Sequence, residues 1–367
     1  MLSIGSIRIL LTFAALTTVS AFLVSPNIHL DLSRSLSDTG RSSTPLNAIG
    51  ALAKKAKQAD LRKYVEGGID DDVLEKYNTL KEALVKGTID VMENTTPGPL
   101  QQALTKRKGT ITIIAEFRRK NDAVETGFIS DVYDPELLSP TFREFGASAV
   151  AVLADERMGG CTYQDIAFFV EEQRRAKNEV PGPISVINND LIIDELQIAR
   201  SAALGVAACV LTFDVVGEDN LLTLLKASKA VKLETIVNVS TKEEAQKAVD
   251  LGAQMLLVTC VGEPDAKAEV IKDLTIPSDR QVCTIANIAT RKNKLLQEIE
   301  EAWALRDKGF NSVWVGDALY KAGNDANEHP GAVIKAMKAK SSLKWGSPKA
   351  RSGKGEGARE YLGDILM

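Results

Sequence analysis

Eight short apolar runs rich in β-forming residues, most of them separated by one helical pattern, predict an α/β chain with parallel strands buried on both faces. The runs are TITIIAEF (110–117), ASAVAVLA (147–154), PISVIN (183–188), AACVLTF (207–213), LETIVNV (233–239), QMLLVT (254–259), QVCTIA (281–286) and NSVWVG (311–316). Between them, stretches such as YQDIAFFVEEQRRAK, NLLTLLKASKAV and KEEAQKAVDLG carry apolar residues at three- and four-residue steps. Glycines just before several strands (Gly146, Gly205, Gly252, Gly309) suit helix C-terminal caps. Eight βα units in about 230 residues have the size of a (β/α)8 TIM barrel. The alternative, a doubly wound open sheet, lacks its dinucleotide fingerprint, because no GxGxxG follows the first strand.

An N-terminal helical extension precedes the barrel. ALAKKAKQADLRKYV and DDVLEKYNTLKEALV both show helical periodicity, and Asp70 to Asp72 offer a cap and first-turn acids to the second. Further upstream, Arg8 precedes the apolar run ILLTFAAL, which ends in Val19-Ser20-Ala21, a small-residue cleavage pattern. The run is too short for a membrane span and reads as a signal peptide over residues 1–21. Phe22 then opens a hydroxylated, basic segment over 22–47. The pair resembles the two-part plastid address of algae with secondary plastids. Asp31 and Asp38 depart from the usual acid-poor transit composition, and plain secretion is the alternative. The barrel with its helices is expected over 48–340, with strands from about 110. Residues 341–367 form a Gly/Ser/Lys-rich tail ending in REYLGDILM. Its tip reads either as a docking segment for a plastid protein or as a tail folded back on the barrel, with Trp345 able to anchor either.

Composition excludes several functions. Hydrophobic content of 44% beside 26% charged residues is that of a globular protein, and a net charge of −4 speaks against a nucleic-acid-binding surface. Cys161, Cys209, Cys260 and Cys283 show no metal or disulfide spacing and read as reduced core residues, so no metal and no cofactor is expected. The only histidines, His29 and His329, stand at no strand end, which removes histidine-based acid–base chemistry. No membrane span is expected in the mature chain.

In a barrel of this kind, chemistry sits at the C-terminal ends of the strands. Strand one ends in Glu116, Arg118, Arg119 and Lys120; strand two in Asp155, Glu156 and Arg157; strand three in Asn188, Asn189 and Asp190; strand four in Phe213 and Asp214. Strand five ends in Asn238 and Ser240, strand six in Thr259 and Cys260, strand seven in Asn287, strand eight in Gly316 and Asp317. The acids have bland readings: Asp190 as a helix N-cap, Asp214 as a cap or a solvent-facing residue, Glu116 as a partner of Arg118 or Arg157.

IIAEFRRK, VLADERMGGCTYQDI, NDLIIDELQIARSAALGVAACVL, IVNVSTKEEAQKAVDLGAQMLLV and VWVGDALYKAG, in this order and spacing, resemble indole-3-glycerol-phosphate synthase over residues 50 to 340. The fragment DLIID-x-x-QI-x-x-A-R carries most of the specificity. The resemblance implies ring closure on a carboxyphenylamino-deoxyribulose phosphate with loss of carbon dioxide and water, in tryptophan synthesis. It also implies lysines on strands one and three and glutamates on strands one, five and seven. Carried over, the strand-one glutamate is Glu116 and the strand-one lysine is Arg118, which does not release its proton near neutral pH. The strand-three lysine, the general acid, falls at Asn189, whose amide has no proton to give. The strand-five glutamate falls at Asn238, and the strand-six asparagine at Cys260. The strand-seven Glu-Ser-Gly falls on Ala286, Asn287 and Ile288, or, shifted by one, puts Asn287 in the glutamate position. The implied phosphate site is altered too: Asn121 stands near the strand-one serine, Ile288 replaces a glycine and Ala318 a serine, while Gly316 and Asp317 remain to open a short helix.

Three functions are therefore open: a degenerate barrel acting as a binding, regulatory or scaffold protein; an active synthase using Asp190, Asp214 or Glu116 as substitute acid and base; or new chemistry on another phosphorylated small molecule.

Overall fold

The computed structural model describes residues 45–93, 95–106, 109–120, 134–260, 262–288, 295–321 and 330–339. The leader before Pro45, Asn121, both histidines and the tail from 341 lie outside these residues. The chain divides into two compact units, Met1–Ile49 and Gly50–Met367, and the barrel belongs wholly to the second.

All eight expected strands form, and they close into one parallel barrel in sequence order: β1 (Thr112–Phe117), β2 (Ala149–Val152), β3 (Ser185–Asn188), β4 (Ala208–Thr212), β5 (Glu234–Val239), β6 (Met255–Val258), β7 (Cys283–Asn287) and β8 (Ser312–Val315). Ahead of β1 come α1 (Pro45–Glu66), α2 (Asp71–Lys86) and the short α3 (Pro99–Leu104). The start of α1 falls within the last three residues of the expected transit segment. The connecting helices are α4 (Pro135–Glu144), α5 (Tyr163–Arg175), α6 (Glu195–Leu204), α7 (Phe213–Val216), α8 (Glu218–Ala230), α9 (Lys242–Asp250), α10 (Pro264–Ile271) and α11 (Leu295–Lys308). After β8 follow α12 (Asp317–Lys321) and α13 (Pro330–Lys338). No helix among the described residues is long and apolar enough to cross a membrane.

Alternation along each strand splits the core into two layers. Ile114, Ala149, Ala151, Ile187, Val210, Ile236, Leu257, Ile285 and Trp314 pack together inside the barrel. Their chain neighbours, such as Ile113, Val150, Val186, Leu211, Val237 and Ala286, pack outward against the helices. This parity fixes which rim residues face the mouth.

The extension packs on three sides. Helix α2 lies on α6 and α8 and buries Val73 and Leu80. Asp70 occupies its N-cap position, but its side chain caps nothing; it accepts instead from the Tyr64 hydroxyl at 3.3 Å. Helix α1 crosses the C-terminal face, where Lys54 reaches the Val215 carbonyl and Lys57 and Asp60 reach the ends of β2 and β3. Helix α3 closes the opposite end, with Leu100 and Leu104 joining the inner layer.

The cap of α3 comes from across the barrel. Glu234 on β5 accepts from the Leu100 and Gln101 amides at 2.7 and 3.1 Å. A Cβ on Gly98 would collide with that carboxyl group, so a larger residue there would have to displace the cap. Charge-assisted bonds to a helix N-terminus are worth more than neutral ones. Glu234→Ala is expected to lower stability by about 2 kcal/mol, and Glu234→Gln by less, both read from urea unfolding at neutral pH.

Candidate active site

Continuing the inner parity to the C-terminal ends of the strands gives the ring that faces the mouth: Glu116, Leu153, Asn189, Thr212, Asn238, Thr259, Asn287 and Gly316. Asn287 follows Cys283 and Ile285 on the inner face, whereas Ala286 is in the outer layer. The shifted alignment of strand seven is therefore the one the geometry favours. Of these eight residues only Glu116 can ionise.

Glu116 is 4% exposed and bound on both oxygens. Its Oε2 accepts from the Trp314 indole at 2.6 Å and from the Asn189 amide at 3.0 Å. Its Oε1 accepts from Arg118 Nε at 2.7 Å and also pairs with Nη2 of the same guanidinium. Arg157 does not take part; it pairs with Asp60 and Asp155. Arg118 also holds Asp317 at 2.8 Å through Nη1. Burial works against the charge on Arg118, but Glu116 and Asp317 outweigh it and hold its pKa above the ordinary value. The buried Tyr320 hydroxyl donates to the Glu116 carbonyl at 2.7 Å and accepts from the Arg118 amide at 3.2 Å, which fixes the backbone under the pair. Neither arginine nor the two amides can give up a proton near neutral pH. Asn238 accepts from Thr259 at 2.6 Å, so strand five contributes a neutral hydrogen bond at the family's glutamate position.

The described residues at the positions where the resemblance implies a phosphate site make contacts within the protein. A Cβ on Gly316 would meet Arg118 Nη2 at 2.9 Å and Glu116 Oε1 at 3.2 Å, so the glycine makes room for the ion pair. The Ile288 amide donates to the Trp314 carbonyl at 2.9 Å, and its side chain is buried. Ala318 packs into the outer layer. Asp317, at the start of α12, takes up Arg118, and Asn121 lies outside the described residues.

Asp190 does not cap a helix. The cap of α6 is Asp194, which accepts from the Leu196 amide at 2.8 Å. Asp190 follows the inward Asn189 and so points away from the mouth. It binds Lys57 at 2.5 Å, the Tyr163 hydroxyl at 2.9 Å and the Gln197 amide at 3.0 Å. Burial pushes its carboxyl up against the pull of these donors. Lys57 also pairs with Asp155 at 2.7 Å. Burial alone would lower the Lys57 pKa, but Asp190 and Asp155 together raise it. Burial opposes the charge on Asp155 too, yet Lys57 and Arg157 bring its pKa down to about 2. Asp214 is exposed in the first turn of α7. Cys161, Cys209 and Cys283 are buried free thiols, Cys260 is half-buried, and no metal-binding cluster occurs among the described residues.

Trp314, Tyr320 and Lys57 escape a reading of strand ends. Trp314 lies one residue inside its strand end, and Lys57 is one of several lysines in a single helical run. Two outcomes follow. Lys57→Met leaves the buried Asp190 without its cation and Asp155 with Arg157 alone, and is expected to cost about 3–5 kcal/mol in urea unfolding. The depressed Asp155 pKa contributes stability that is present above its unfolded pKa and lost as pH falls from about 4 to about 2. Asp155→Asn should therefore flatten the acid limb of stability against pH relative to wild type.

The family model for indole-3-glycerol phosphate synthase matches residues 71–329. The indole-3-glycerol phosphate synthase of Leptospira interrogans is 31% identical over 157 residues, which are 43% of this chain and 57% of that protein, so this match spans little more than half of the relative's length. That of Chlorobium phaeovibrioides is 27% identical over 218 residues, covering 59% of this chain and 79% of the relative. Among solved structures, a Schiff-base-forming fructose-1,6-bisphosphate aldolase aligns with a TM-score of 0.46 at 14% identity, over 65% of this chain and 98% of that one. The family match covers most of the chain and all eight barrel strands, and the chain belongs to the indole-3-glycerol phosphate synthase family.

Proposed function

We propose that this barrel has kept the family's fold and lost its ring-closing chemistry, and that it works as a binding or regulatory protein. The observation that carries this reading is the state of Glu116. It is the one ionisable residue in the inner ring, and both its oxygens are taken by Arg118, Trp314 and Asn189. A general acid must hold a proton near the operating pH and reach the reacting atom. Arginine and asparagine fail the first condition. Asp190 fails the second, because its carboxylate faces Lys57 and Tyr163, away from the mouth. The phosphate positions support the same reading, since Arg118 already neutralises two carboxylates and the Ile288 amide is in the barrel ladder. The leader pattern supports work in a plastid.

The full chain should be mixed with the family's carboxyphenylamino-deoxyribulose phosphate while indole fluorescence is followed. Loss of one general acid or base costs about 10²–10⁴-fold, and here the acid and its partners are replaced together. Turnover is expected at least about 10⁴-fold below that of an active family member. Saturable turnover at an ordinary rate would overturn the reading.

A further inference from the structure

Beside the barrel mouth, under α1, a cleft of about 310 Å³ opens between the ends of β2 and β3 and the helices α5 and α6. At its wall the Arg200 guanidinium lies between two tyrosine rings, 4.1 Å from the Tyr64 centroid and 3.7 Å from that of Tyr163. Both rings are tethered: the Tyr64 hydroxyl donates to Asp70 and the Tyr163 hydroxyl to Asp190. The guanidinium is thus placed over two tethered rings, which restrict where its side chain can go. Among the described residues, no carboxylate pairs with Arg200 and no acceptor bonds to it. The other cations at the cleft differ. Lys57 is neutralised by Asp155 and Asp190, Arg157 by Asp60 and Asp155, and Lys63 is exposed at the rim.

We propose that this cleft binds a small monocarboxylate, received by the edge of Arg200. The planar fork of an arginine matches the two oxygens of a carboxylate in a bidentate pair. Because the rings already fix the side chain, little rotamer freedom is lost on binding. The charge around it favours a monoanion: Lys57, Lys63, Arg157 and Arg200 at the cleft are matched by Asp60, Asp155, Glu156 and Asp190, so there is no net positive charge to draw a dianion such as a phosphate ester. Leu61 and Ala154 on the wall, together with the tyrosine rings, offer an apolar surface to the body of the ligand. The volume is at the lower end for small-molecule sites, which limits the ligand to a compact one. The site is separate from the Glu116 network and does not depend on whether the mouth is active.

The test titrates the full chain with benzoate, and in a second arm with inorganic phosphate, at constant ionic strength in a calorimeter. Benzoate is expected to saturate, at least about tenfold more tightly than phosphate. Arg200→Lys keeps a cation over the rings but loses the fork, and should weaken benzoate about tenfold or more while leaving the unfolding midpoint near wild type. Arg200→Gln should abolish binding, and Arg200→Lys keeps the test decisive if that variant does not fold. Absence of saturation below about 10 mM benzoate, phosphate binding as tight as benzoate, or benzoate binding unchanged in Arg200→Lys would each overturn the proposal.

Discussion

One buried carboxylate governs the mouth of this barrel. Glu116 stands on β1 where eight strands converge, and at 4% exposure it has almost no access to water. An unpaired carboxylate there would be strongly destabilising. Its donors come from three strands or their ends: Arg118 beyond β1, Asn189 beyond β3 and Trp314 on β8. Satisfying Glu116 therefore joins the first, third and last strands at the end where the loops could otherwise splay. The same demand explains Gly316, whose missing side chain leaves space for the guanidinium, and Tyr320, whose hydroxyl fixes the backbone on both sides of Phe117.

A second ionic cluster works at the edge of the same face. Lys57 comes from α1, and its two carboxylates from the ends of β2 and β3. Because α2 is packed on α6 and α8, the extension is held to the barrel through both an apolar face and a buried cation. The division is physical: the apolar contact supplies area, while the Lys57 cluster fixes position, since one ammonium must meet two oxygens at 2.7 and 2.5 Å. This position brings Tyr64 over Arg200 and so shapes the cleft.

The barrel was legible because its signal is repeated. Each strand is an apolar run of the right length, and each begins or ends within about two residues of its run, as when TITIIAEF starts at Thr110 and β1 at Thr112. The strand-end rule also located Glu116, Arg118 and Asn189. It could not say what they touch, because contacts across the barrel depend on register and on which face each residue takes. Trp314 looks like any apolar residue in NSVWVG until parity turns it inward. Asp190 and Asp194 are both plausible caps by residue type, and the irregular stretch from Leu191 to Ile193 delays the helix and gives the role to the second. Lys57 and Arg200 carry no local pattern at all; both are ordinary members of helical runs.

The substitutions at the mouth are coupled through Glu116, and this bears on what could restore an acid. A lysine introduced at 189 would enter a space where the present amide donates to Glu116 Oε2 beside the Trp314 indole. Its ammonium would be drawn to the same carboxylate, raising its pKa and removing the freedom to donate elsewhere. Arg118 would still hold the other oxygen and Asp317. A working donor needs its own charge balance, and here the only inward carboxylate is already matched by a cation that does not titrate near neutral pH. On the proposed reading, the loss of proton transfer is thus a property of the whole hydrogen-bonded set, and no single reversion is expected to undo it.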